Sequence, residues 1–137
     1  MKTTFALIHK GLAFYIGIGV FVQMFFAGIW HAGVVATPDA HVFFGLSLLL
    51  ASLLALIAAA VAKLPKPVIK RTALLFFLIL LQPILIEMRR NGLPFVSAFH
   101  TLNAPFIGIV SGTVVAMARG AQVETEEEGS VSVAAGD

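Results

Sequence analysis

Residues 41–62 read HVFFGLSLLLASLLALIAAAVA, twenty-two positions without Asp, Glu, Lys or Arg. As a helix rising 1.5 Å per residue, such a stretch is about 33 Å long, enough to cross the roughly 30 Å hydrocarbon layer of a bilayer. Three further runs qualify on either side of it, over about 12–35, 68–88 and 95–118. The third is the weakest. Its uncharged core, Thr72 to Ile86, is short and holds Pro83, so Lys70, Arg71 and Glu87 are expected at the interfaces, the basic stems snorkelling to water.

Composition agrees. Of 137 residues, 59% are hydrophobic and 12% charged, where a soluble domain carries about a quarter charged. The nine Lys and Arg cluster between apolar runs, as membrane-flanking groups do, and give no nucleic-acid surface. The chain contains no cysteine. That excludes disulfides, thiolate metal sites, iron–sulfur clusters and covalent haem attachment, leaving His, Met and carboxylates for any metal chemistry. Met1-Lys2-Thr3-Thr4 leads into apolar sequence without an Ala-x-Ala-like cleavage site, so the first helix is expected to be retained.

Between the runs lie Ala36-Thr37-Pro38-Asp39, with a capping Thr and a first-turn Pro, then Leu64-Pro65-Lys66-Pro67 and Asn91-Gly92-Leu93-Pro94. All three are turn sequences and all are short. The expected fold is an all-α membrane protein, four transmembrane helices in an up-down-up-down bundle, forming one domain over 1–119. Lys2, Lys10, Lys63, Lys66, Lys70, Arg71 and Arg119 fall at one end and only Arg89 and Arg90 at the other. The positive-inside rule then predicts a multi-pass protein of the cell (inner or plasma) membrane with both termini cytoplasmic. Residues 120–137, rich in Glu, are expected to form an acidic, disordered cytoplasmic tail.

A shift of 59 residues superposes Gln23 on Gln82, His41 on His100 and Gly45 on Ala104, so the bundle reads as two similar helical hairpins. His41 and His100 then open parallel, diagonally opposed helices at the same depth. That places them to grip a non-covalent haem b, one imidazole on each side of the iron. Helix N-termini disfavour imidazolium and keep both rings neutral for metal binding. Gly45 and Ala104, followed by Gly108 and Gly112, are small enough to leave room for a porphyrin face. The other reading is a pair of interfacial histidines bonded to carbonyls or water. Arg89 and Arg90 suit either haem propionates or interfacial anchoring.

Gln23 and Gln82 lie where an unpaired amide is costly, so they bridge helices or touch a ligand. Ser47, Ala51, Ala55 and Ala59 form a small-residue packing stripe, as do Gly108 and Gly112. His31 beside Trp30 fits an interfacial belt or the edge of a haem or quinone site, and His9 beside Lys10 reads as interfacial.

Leu81-Gln82-Pro83, Asp39-Ala40-His41 with Gly45, and His100-Thr101-Leu102-Asn103-Ala104 together resemble one half of the haem A synthase fold. They are also similar to small four-helix bacterial membrane proteins with an LQ…LH-x-x-N-A signature. The resemblance implies haem ligation by His41 and His100. Pro38 and Val42 stand where the synthase has a glutamate and an arginine, so its oxidative chemistry is not expected here. Half the synthase's length implies that a two-bundle assembly would need a homodimer or a larger respiratory-type membrane complex. Two functions follow: a bis-His haem protein for electron transfer or haem handling, or a non-haem accessory subunit of a larger membrane complex.

Overall fold

The computed structural model describes the backbone of residues 1–134 and the side chains of 1–120. Among the described residues the only regular elements are helices: α1 (Lys2–His31), α2 (Asp39–Val61), α3 (Lys66–Arg90), a single turn α4 (Pro94–Ser97) and α5 (Phe99–Ala134). Four segments are long and apolar enough to span a membrane, the fourth running over Pro94–Gly120. In sequence order each packs on the next, and the last closes against α1, giving the antiparallel four-helix bundle. The backbone stays helical through Ala134, into the stretch expected as a disordered acidic tail, and of that tail only residues 135–137 and the side chains beyond 120 lie outside the described residues.

The helix ends differ from the expected bounds in instructive ways. Helix α1 begins ten residues early, at Lys2, because nothing between Met1 and Leu12 breaks a helix and the early turns bury their own side chain, His9. Thr37 does not cap α2. Its hydroxyl donates to the Asp39 carboxylate at 2.8 Å, and Pro38 takes the cap position without a side-chain bond. Helix α3 runs unbroken through Pro83 to Arg90. The Asn103 amide of α5 donates to Leu78 O at 2.8 Å, a tie from a neighbouring helix beside the turn where Pro83 supplies no N–H.

Helices α1, α2 and α3 end alike. Gly33, Lys63 and Gly92 take positive φ of 72°, 55° and 77°. The N–H of each bonds back to Trp30 O, Ala60 O and Arg89 O, while Val34, Leu64 and Leu93 reach Ile29 O, Ala59 O and Met88 O. These paired bonds are Schellman motifs, which satisfy the last free carbonyls and turn the chain sharply.

We call the end with Lys2, Lys63 and Lys66 the basic end and the other the histidine end. The core is made of Ile16, Leu75 and Val114 at its centre, with the alanine stripe of α2 beneath them: Ala51, Ala55 and Ala59 are all buried. The expected second stripe does not pack. A Cβ on Gly112 would meet nothing within 4 Å, and one on Gly108 only Val20 at 4.0 Å. Burial is uneven along the axis: α1 has no buried residue after Val20 and α2 none before Leu48. The basic half is sealed and the histidine half is the looser one.

Candidate functional site

His41 lies in the first turn of α2 and His100 in the first turn of α5. Diagonally placed helices bring their imidazoles together at the histidine end: the ring centroids are 6.2 Å apart with the planes at 68°. Both rings are half-buried. The repeat expected from sequence recurs in one contact of each histidine. His41 Nδ1–H donates to Gln23 O at 3.2 Å, and His100 Nδ1–H donates to Gln82 O at 3.3 Å. Because a carbonyl only accepts, both rings are held in the Nδ1–H tautomer, which puts the lone pair on Nε2. This is how a metal-binding imidazole is set, one nitrogen anchored to a carbonyl and the other carrying the lone pair, and on His41 that lone pair accepts from the Gln23 amide at 3.4 Å.

The glutamines do more than supply carbonyls. Gln23 Nε2 donates to His41 O at 2.8 Å and lies 3.4 Å from His41 Nε2, tying α1 to α2 as an interhelical bridge. The Oε1 atoms of Gln23 and Gln82 are both buried without a hydrogen-bond partner among the described residues. A buried acceptor left so costs about 1–3 kcal/mol, and here the same unmet acceptor recurs at the two equivalent positions beside the histidines.

Other expected residues are placed differently. Gly45 faces the Gln23 amide, since a Cβ there would come within 2.7 Å of Gln23 Nε2; its small size seats the glutamine, and the space expected for a porphyrin face is occupied. Ala104 is half-buried one turn after His100. Arg89 and Arg90 are exposed, and Arg90 donates to Glu87 at 3.2 Å, so neither is brought to the histidine pair. His31 is exposed, with its ring 4.8 Å from that of Trp30. A groove of about 300 Å³ between α3 and α5 is lined by Leu81, Leu85, Phe99, Leu102, Asn103 and Phe106, and by neither histidine.

His9 departs most from expectation. It is 1% exposed rather than interfacial, with Nε2 at 3.1 Å from Thr72 Oγ1. The Thr72 hydroxyl donates to Val68 O at 2.9 Å, so His9 Nε2–H donates to Thr72. The bond joins diagonal helices α1 and α3 and latches the basic half. The signal was present: His9, Ala13, Ile16 and Val20 recur at helical spacing on one face.

Comparison with known proteins adds no identity. No family model, curated protein or solved structure matches the chain. Function therefore rests on the chemistry of the pair. Among the described residues no three His, Cys, Asp or Glu side chains gather into a metal-binding group. A bare ion wants three or four protein ligands. Two opposed imidazoles suit a metal that brings its equatorial donors with it.

Proposed function

We propose that this chain is a b-type haem-binding membrane protein, with His41 and His100 as the two axial ligands, serving electron transfer or haem handling. The observation that carries the reading is the symmetric pair itself: two imidazoles of matched tautomer with centroids 6.2 Å apart. That spacing is compatible with two imidazoles that would each bind one metal at roughly 2 Å. The looser packing of the histidine half is where two hairpins can part around a flat group.

His41 and His100 would hold the haem, which would supply one-electron chemistry at its iron and leave no position for oxygen. The chain's own residues supply the rest. The Gln23 and Gln82 carbonyls orient the rings and raise the basicity of Nε2. Gly45 makes space for Gln23, whose amide holds the start of α2. The basic end is read as cytoplasmic, which puts the pair near the outer face of the membrane. The likeness to half of haem A synthase supports the ligand assignment and not the synthase's oxidation.

The test is the reduced-minus-oxidised visible spectrum of protein in mild detergent, beside His41→Ala and His100→Ala. The expected result is a six-coordinate b-type spectrum in the parent and its loss in both variants. A parent protein that stays colourless after haem addition overturns the reading in favour of a non-haem accessory subunit.

A further inference from the structure

At the basic end a groove of about 500 Å³ between α3 and α5 is lined by Lys66, Pro67, Lys70, Arg71, Leu74 and Met117. Its chemistry is divided. Lys66, Lys70 and Arg71 are exposed cations at helical spacing on one face, whereas Leu74, 41% exposed, and Met117 continue the wall toward the bilayer interior. The first two turns of α3, Lys66-Pro67-Val68-Ile69-Lys70-Arg71-Thr72, hold these three cations and no acidic residue. The ion pair of Arg90 with Glu87 is at the opposite end of the bundle. Like charges so close repel, and the place of Lys66 at the positive end of the α3 dipole adds to the cost. Arg119, at the same end, is engaged elsewhere: its guanidinium lies 4.7 Å from the centre of the Phe14 ring.

A cationic rim with no acidic partner among the described residues, over an apolar floor, calls for a ligand with an anionic head and a hydrocarbon chain. We propose that this groove binds one anionic glycerophospholipid, its phosphate among Lys66, Lys70 and Arg71 and an acyl chain along Leu74 and Met117. Interfacial basic residues gain about 1 kcal/mol each near anionic lipid through the surface potential alone. What distinguishes a site from that diffuse attraction is dependence on these three residues and not on others at the same end.

Native mass spectrometry of the full chain in mild detergent, titrated with phosphatidylglycerol or phosphatidylcholine of identical chains, separates the cases. Three proteins are compared: the parent, a groove variant (Lys66→Gln, Lys70→Gln, Arg71→Gln) and an equal-charge control (Lys2→Gln, Lys10→Gln, Lys63→Gln). The expected result is a preference of about tenfold or more for phosphatidylglycerol in parent and control, lost in the groove variant. Five of the six substituted side chains are exposed and Lys10 is half-buried, so circular dichroism verifies that both variants keep their helices. Equal loss in both variants, or no preference in the parent, overturns the proposal. Displacement of the lipid by millimolar glycerol 3-phosphate also overturns it, in favour of a site for water-soluble phosphates.

Discussion

Single atoms decide several features of this bundle. Gly45 is the sharpest case at the histidine end, because any side chain there meets the Gln23 amide at 2.7 Å. Gly45→Ala is expected to displace Gln23, break its bond to His41 O and cost about 1–2 kcal/mol. Gly112→Ala, with open space around it, is expected to be neutral or slightly stabilising through helix propensity. Thermal unfolding in detergent, followed by circular dichroism, compares the two. A similar contrast applies to the His9 and Thr72 pair. Thr72→Val leaves a buried Nε2–H without its acceptor and is expected to cost about 1–3 kcal/mol, while the double change with His9→Leu recovers part of that loss. Neither change is expected to alter a haem spectrum, since the pair sits in the opposite half from His41 and His100. Loss of the spectrum in Thr72→Val would assign the basic half a part in the site.

At the scale of the element, the same terminating motif closes three helices, but with different residues at the left-handed position. Gly33 and Gly92 adopt it without a Cβ penalty, and Lys63 adopts it against one. Lys63→Gly is therefore expected to stabilise the bundle by about 1 kcal/mol and Gly92→Ala to destabilise it by a similar amount. A chemical denaturation series on the two variants checks both signs. Helix existence was legible from apolar runs, but the ends were not, because a helix continues wherever a neighbour rewards it. The first ten residues of α1 are helical for that reason. So is α3 beyond its short uncharged core, where Asn103 of α5 ties its backbone at Leu78 O, next to the Ile79 carbonyl that Pro83 leaves without a helical partner.

For the whole molecule, the asymmetry of charge and the asymmetry of packing coincide. The end rich in Lys and Arg is also the sealed one, and the end with the histidine pair is the looser one. The orientation proposed from the charge bias has a direct test, because a chain without cysteine allows single cysteines to be placed at will. With the basic end cytoplasmic, Thr37→Cys and Ser97→Cys are expected to react with a membrane-impermeant maleimide in intact cells, and Lys63→Cys only after permeabilisation. The reverse pattern would invert the topology and move the histidine pair to the inner face.

The sequence by itself determined that this chain spans a membrane four times, with short turns that force antiparallel neighbours, because burying a peptide backbone in hydrocarbon leaves so few solutions. It also determined which residues repeat, since polar side chains stand out against an apolar background: Gln23 and His41 in one hairpin, Gln82 and His100 in the other. Only the tertiary structure decided what those residues touch. That Gly45 faces an amide, that Arg89 and Arg90 turn to solvent, and that His9 is buried against Thr72 depend on how each helix is rotated about its own axis. Rotation is set by side-chain fit between helices, and in a chain this uniformly apolar the pattern leaves that angle weakly specified until the helices pack.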